Sequence, residues 1–470
     1  LARLFALAAL LVPFAALSQN YSTIVAGAQN NAAQVIGLGA NDGFAYLAAY
    51  QDSSGTWHTG GILPGQGTRF SALLTAYGNG QLQVIGLGAN DGFAYVAAYL
   101  DSAGIWHPGG ILPGQGTRFS GLWAEVGNQG KLQVIGLGAN DGFAYLAAYL
   151  ESGGWHSAGI LPGQGIPFST LMTGSGNQGT VQVVGKGATD GLLYLTDWQD
   201  TNGTWHATGL LPGQTPACSD LEDGYGAGLQ VLCLGSSDGN LYLVDWQDAY
   251  DGSWHASGML PGQGRQLASI VDGVGYQRQL EVGGVGAADN LFYLTSYQNS
   301  QGTWFASGAI PTLNVPVSTA VAVNGNSGNL YIVGLGAADG HIELITWQDV
   351  AAGNWHAGTD LSGALPGAPV ISASPETVES GSAFTISWTV PSGSINHYTL
   401  SKVVNSGTAT LSACPSSTTA VAFSVSTRLG TDKFIDYSVR ACTTADDSVC
   451  TAWSNTVEVD VYAPCGRPCQ

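Results

Sequence analysis

Seven tryptophans stand at nearly equal intervals along the chain: Trp57, Trp106, Trp155, Trp205, Trp254, Trp304 and Trp355. The steps between them are 49, 49, 50, 49, 50 and 51 residues. A fixed period of this length, carried by short strands and turns, marks a circular or stacked repeat. Seven copies predict a closed ring, an all-β, seven-bladed β-propeller.

The first full unit runs from Gln34 to Gly67, and Phe70–Tyr77 leads into the next. Each unit divides into four strands. They are an S-x-L type, a Q-V-I-G-L-G type, an F-A-Y-L-A-A-Y type and a T-W-H-x-x-G type. Asn41-Asp42-Gly43 is a hairpin signal, because these residues tolerate the positive φ of primed turns. Asp52-Ser53-Ser54-Gly55 is a second tight turn, and Leu63-Pro64-Gly65-Gln66-Gly67 stops the last strand. The strands are apolar on both apparent faces, as expected of sheets sandwiched between neighbours. No segment has sustained helical periodicity. Tyr21–Ala26 reads as the opening strand of blade one, so packing of the first blade on the last can close the ring without a swapped strand.

The flanks differ from the repeat. Residues 1–18 read as a secretion signal: Arg3, an apolar stretch from Leu4 to Leu17, then Ala16 and Ser18 at a cleavage site. The ring is expected over 19–367 and a separate domain over 368–461, with a Cys-containing tail at 462–470. Phe384–Val390 alternates cleanly, as do Tyr398–Val404 and Phe434–Ala441. With Trp388 in an early strand, the Tyr437/Val439/Ala441 run and the closing A-W-S-N-T-V-E-V strand, this domain resembles the fibronectin type III sandwich. Such domains serve as spacers or adhesion modules. No later stretch reads as a membrane span.

Export permits disulfides. Cys442 and Cys450 flank a short hairpin-like loop and are expected to pair. Cys218 and Cys233 could bridge adjacent strands. Cys465 and Cys469 could pair with each other or elsewhere, with a zinc site as the rival reading, and Cys414 is left over. The net charge of −20, with only 12 Lys plus Arg, argues against nucleic acid or an anionic membrane as partner.

Chemistry is sought where polar or aromatic residues repeat. A histidine follows five successive tryptophans, giving Trp57-His58, Trp106-His107, Trp155-His156, Trp205-His206 and Trp254-His255. Phe305 breaks the series and His356 restores it. Successive residues on a strand face opposite sides, so Trp and His belong to two different blade faces. One reading makes them packing residues. The other makes the indoles walls of inter-blade pockets, which suit sugars because C–H faces pack on aromatic rings while polar groups bond the hydroxyls. Tyr46, Tyr95, Tyr145, Tyr194 and Tyr242 form a second repeated series, continued by Tyr293 and replaced by Glu343. Gln66, Gln115, Gln164, Gln214 and Gln263 recur on the L-P-G-Q loops. Both could be structural.

A catalytic reading finds less support. Most acids are repeated turn residues, and no pairing is legible among the less regular Glu125, Asp197, Asp245, Asp272, Glu281 and Glu343. No metal-ligand spacing, nucleophile elbow or phosphate loop appears, and no cofactor is implied. The expectation is therefore a protein that is not an enzyme.

The pattern D-G-x-L-Y-L-x-x-W-Q-D-x-x-G-x-W-H, clearest at Asp190–His206 and Asp238–His255, resembles the repeats of seven-bladed propeller lectins typified by the Photorhabdus fucose-binding lectin. The resemblance spans residues 21–366. It implies multivalent binding of fucose-like or methylated sugars between blades. The expected partners are neutral glycans on cell surfaces or polysaccharides. The first three units carry A-A-Y where the lectin-like units carry an aromatic-Gln pair. Blades six and seven lose pieces of the pattern at Phe305, Ile310-Pro311-Thr312 and Glu343, so five or fewer full sites are expected. A secreted adhesion or scaffold protein using the ring for protein contacts is the alternative, followed by a polysaccharide-active enzyme. The oligomeric state stays open.

Peptide mapping of the non-reduced protein is expected to recover Cys442 joined to Cys450. An unstrained loop of this length stabilises by about 2–3 kcal/mol. Recovery of both as free thiols would refute the pairing.

Overall fold

A computed structural model describes residues 20–361, apart from 115, 128–129 and 226–227. Beyond them it describes 371–388, 397–405, 410–415, 420–424, 433–442 and 457–462. The chain divides into two compact units, one over Asn20–Gly363 and one containing Ala364–Gln470.

The first unit holds seven antiparallel sheets, each of four consecutive strands. Blade one comprises Tyr21–Gln29, Ala32–Gly39, Ala45–Gln51 and Trp57–Thr59. Blade seven comprises Val317–Asn324, Leu330–Gly336, Ile342–Gln348 and Trp355–Asp360. The first strand of every blade packs on the first strands of both neighbours, and Val317–Asn324 meets Tyr21–Gln29. The ring is thus a closed seven-bladed propeller with no swapped strand.

Three kinds of contact shape a blade. Second strands such as Leu132–Gly138 and Leu229–Gly235 are buried along their whole length. Their mid-strand glycines are dictated by an aromatic from the first strand: a Cβ on Gly37, Gly86 or Gly136 would lie within 2.4 Å of the ring of Tyr21, Phe70 or Phe119. The hairpin after the second strand turns on glycines at positive φ, Gly43 at 68° for example.

Five of the seven blades end their third strand in a glutamine that reaches the neighbouring blade. Gln247 Oε1 accepts the N–H of Asn177 from the preceding blade (2.7 Å), and Gln348 Oε1 that of Tyr276 (2.8 Å). Gln51 Oε1 accepts the N–H of Asn326 (3.0 Å), so the last blade meets the first through the same bond.

A second junction uses the Leu-Pro-Gly loop. Ser296 donates its hydroxyl to Pro261 O and Thr346 donates to Pro311 O. At the corresponding positions blades four and five carry Asp197 and Asp245, both fully buried. Asp197 Oδ1 accepts the Gly163 N–H (2.6 Å) and Asp245 Oδ1 that of Gly213 (2.7 Å), while both Oδ2 atoms lack a partner. Burial raises the pKa of each carboxyl, that of Asp245 to about 7.

The other unit is a two-sheet sandwich. One sheet has the order Ile371–Ser374, Ala383–Trp388, Ala420–Ser424. The other has the order Thr377–Glu379, Val457–Tyr462, Lys433–Cys442, His397–Val404, Thr410–Pro415. Phe384, Ile386 and Trp388 from the first sheet share a core with Tyr398, Leu400 and Tyr437 from the second. Cys414 is buried as a free thiol, and Cys218 and Cys233 form a disulfide between the first two strands of blade five. The expected Cys442–Cys450 bridge, the Cys465/Cys469 pair and the 1–18 segment lie outside the described residues. Among the described residues no helix is long and apolar enough to cross a membrane.

A carboxyl whose pKa is raised on folding holds its proton in the native state and loses it in the unfolded state between about pH 4 and pH 7. Stability therefore falls as pH rises through that window. Asp245→Asn keeps the acceptor for Gly213 and adds a donor where Ser296 and Thr346 have one. Its Tm is expected to exceed that of the parent at pH 8, with the gap closing towards pH 5. Equal Tm differences at both pH values would show that this carboxyl does not titrate on unfolding.

Candidate functional site

Two clefts open at equivalent places between successive blades. The cleft between blades four and five has a volume of about 520 Å³ and is lined by Thr180, Gln182, Leu195 and Trp198 on one side and Gln247, Asp251 and Trp254 on the other. The cleft between blades three and four, of about 260 Å³, is lined by Lys131, Gln133, Leu146 and Tyr149, facing Gln199, Asn202 and Trp205. The two linings correspond position by position: a second-strand Gln, a third-strand Leu and aromatic, then the next blade's third-strand Gln and fourth-strand Trp.

The local sequence sets this arrangement. Gly203 and Gly252 take positive φ (87° and 75°), which turns the chain tightly into Trp205 and Trp254. Gln199 Nε2 donates to Gly203 O (3.2 Å) and Gln247 Nε2 to Gly252 O (3.1 Å), so the third-strand amide holds the turn that carries the indole. On its other side Gln199 Oε1 accepts from Gln133 Nε2 across the blade junction (2.6 Å).

Polar atoms are left over in these walls. Trp205 Nε1 and Gln133 Oε1, and likewise Trp254 Nε1 and Gln182 Oε1, are enclosed without partners. The junction of blades five and six repeats the theme. Gln230 Nε2 donates to Gln298 Oε1 (2.6 Å), and Gln230 Oε1 and Trp304 Nε1 are unpaired. Buried polar atoms are normally paired, so a donor and an acceptor orphaned at three successive junctions call for an explanation.

The other junctions differ. Blades two and three carry Leu100 and Leu150 at the third-strand position of that glutamine, so the bridging amide is missing beside Trp106 and Trp155. Between blades six and seven Glu281 stands in place of Gln and accepts from Gln348 Nε2 (3.1 Å); burial raises its pKa to about 7. Between blades seven and one Tyr331 holds that place and meets Trp57 edge-on, with ring centroids 5.5 Å apart.

The histidines take a different position from the indoles, and none lines either cleft. Each pairs across strands with the third-strand aromatic of its own blade. His58 stacks on Tyr50, His107 on Tyr99, His156 on Tyr149, His206 on Trp198 and His255 on Trp246, with centroids 4.5–5.2 Å apart. Phe305 keeps the stack on Tyr297 without any polar partner, so the ring is what this position requires. His58, His107 and His206 also meet the turn carboxylates of Asp52, Asp101 and Asp200 at 2.8–3.0 Å. Hydrogen bonding, from His206 foremost, holds Asp200 below the usual carboxylate range.

Tyr46, Tyr95, Tyr145, Tyr194 and Tyr242 donate their hydroxyls to the hairpin residues Asp42, Asp91, Asp141, Asp190 and Asp238 at 2.6–2.7 Å. They lock the turn after the second strand. Gln66, Gln164, Gln214 and Gln263 each accept a backbone N–H at the start of the third strand, while Gln115 lies outside the described residues. Sequence reasoning did not single out Gln133, Gln182, Gln199 or Gln247 as lining residues. Their signal was present: they recur with the period of the tryptophans.

The irregular acids hold a further surprise. Glu222 and Asp223 of blade five, Asp272 of blade six and Glu125 of blade three lie on first strands; Asp272 acts electrostatically on both Glu222 and Asp223, and Glu125 on Asp223. Burial first, and then this repulsion, puts Glu222 and Asp223 well above the usual carboxylate range.

Neither a family model nor a curated protein matches the chain. Solved structures similar to it in strand arrangement include a Bacteroides ovatus xyloglucan-locus GH43B protein (11% identity, 95% of this chain and 91% of that one covered, TM-score 0.31). The polysaccharide lyase Uly1 is another (10% identity, 78% and 86%, TM-score 0.33). A third is the GH43 protein BlXynB from Bacillus licheniformis (10% identity, 96% and 96%, TM-score 0.28).

The expectation that the chain is not an enzyme is corrected here, because these neighbours are mainly glycoside hydrolases and a lyase. At these identities and TM-scores the likeness assigns no activity.

Proposed function

We propose that the propeller is a secreted, multivalent carbohydrate-binding module that takes neutral glycans, fucosylated or methylated ones foremost, in the clefts between its blades. The observation that carries this reading is the recurrence, at two successive junctions, of one open cleft walled by an indole, a second aromatic and two amides. A pyranose suits such a wall. Its C–H face packs on the ring, and its hydroxyls both donate and accept.

Junctions three–four, four–five and five–six carry the full set. The Leu100 and Leu150 junctions lack the amide, and Tyr331 stands in the seven–one junction. Weak sites spaced around a rigid ring would together give firm attachment to a glycan-covered surface, because each later contact is effectively intramolecular. The Cys218–Cys233 disulfide agrees with an oxidising compartment. We read the sandwich domain as a fibronectin type III-like spacer.

Titration calorimetry with methyl α-L-fucoside is expected to give more than one site per chain. Gln182→Leu and Trp254→Ala should each remove one site while circular dichroism and Tm report an intact ring. Unchanged stoichiometry in a folded Gln182→Leu variant would place binding elsewhere, and absence of any heat would overturn the reading.

A further inference from the structure

The two open clefts differ in size by a factor of two, and the difference has identifiable causes. At the three–four junction Lys131 lines the cleft. Its ammonium pairs with Glu151 at 2.8 Å and lies 5.7 Å from the centre of the Tyr149 ring, so an ion pair spans that wall. At the four–five junction Thr180 takes the place of Lys131 and turns its hydroxyl back to Asn177 O (2.8 Å). Trp198 replaces Tyr149, and its far face is already covered by His206.

The turn beside the indole also changes. Asp200 to Trp205 encloses four residues, whereas Asp248 to Trp254 encloses five. The longer turn is held from within. Asp248 Oδ1 accepts the Tyr250 N–H (2.7 Å), and Asp251 Oδ1 accepts the Ser253 N–H (2.9 Å) and hydroxyl (2.6 Å). It carries Tyr250, at 96% exposure the highest among the exposed large hydrophobic side chains, one residue before Asp251 of the cleft wall. A phenol ring left in water on an ordered turn, next to a cleft lined by carboxylates, amides and indoles, has the make-up of a second stacking platform.

We infer that the four–five cleft is an extended subsite that takes the terminal disaccharide of a glycan, with Tyr250 stacking on the second sugar, whereas the three–four cleft takes a single terminal residue. This rests on the glycan-binding reading above. Selectivity for longer chains then resides in one junction, and the other sites add avidity to any glycan with the same terminal sugar.

The test compares methyl α-L-fucoside with the disaccharide α-L-fucosyl-(1→2)-galactose on the full chain by calorimetry. The disaccharide should show two classes of site, one class tighter than the monosaccharide by about five- to tenfold, the worth of one aromatic stack. Tyr250→Ala should bring the ratio of disaccharide to monosaccharide affinity close to one. Thr180→Lys, which installs the blade-three residue, should do the same by narrowing the cleft. A single class of disaccharide sites with monosaccharide affinity would overturn the extended subsite and leave the general reading standing. So would a ratio that survives Tyr250→Ala. Binding of neither sugar would overturn both.

Discussion

No blade of this propeller can exist alone. Its middle strands are apolar on both faces, and in several blades every residue of the second strand is buried. A single such sheet in water would expose both faces, at a cost of about 25 cal/mol for each Å² of apolar surface. The sheets therefore stack, and the twist of each sheet on the next bends the stack until it closes. Closure removes the two raw faces that an open stack of seven would leave. The bond from the Asn326 N–H to Gln51 repeats those at Asn177 and Tyr276, so the last junction is held by the same amide-to-backbone bond as junctions inside the chain.

The clefts follow from that geometry. Blades meet along their first strands, and at the three–four and four–five junctions the part beside the short fourth strand is left open. What occupies that gap is decided by a few side chains. An amide ending the third strand holds the tryptophan turn on one side and reaches the previous blade on the other. Where leucine stands instead the reach is lost, and where tyrosine stands at residue 331 an aromatic ring meets Trp57. Seven near-copies of one sequence thus yield junctions of distinct chemistry. That is the physical basis for expecting unequal sites on a ring of nearly equal blades.

Acids that break the repeat also lie on first strands, the strands that pack on one another around the ring. Glu125, Glu222, Asp223 and Asp272 are such acids, and the ring brings Asp272 of blade six within electrostatic reach of Glu222 and Asp223, and Glu125 of blade three within reach of Asp223. A ring concentrates what its innermost strands carry, however far apart those residues are in the chain.

The period of the tryptophans, the Asn-Asp-Gly and Leu-Pro-Gly turns and the apolar strands were enough to determine blade number and strand order, because each of these depends on local pattern and on counting; that the ring closes without a swapped strand was decided by the packing of Val317–Asn324 on Tyr21–Gln29. The alternation of Trp and His onto different faces was legible for the same reason. The roles of the repeated polar residues were decided by tertiary structure. His206 could have faced a neighbour and instead stacks within its own blade on Trp198, and Tyr194 is occupied by the Asp190 turn. The amides that line the clefts meet across junctions 66 and 68 residues apart in sequence, Gln133 with Gln199 and Gln230 with Gln298. Such pairs belong to two blades at once. No pattern within a single repeat could reveal them, because the cleft exists only where one sheet lies against the next.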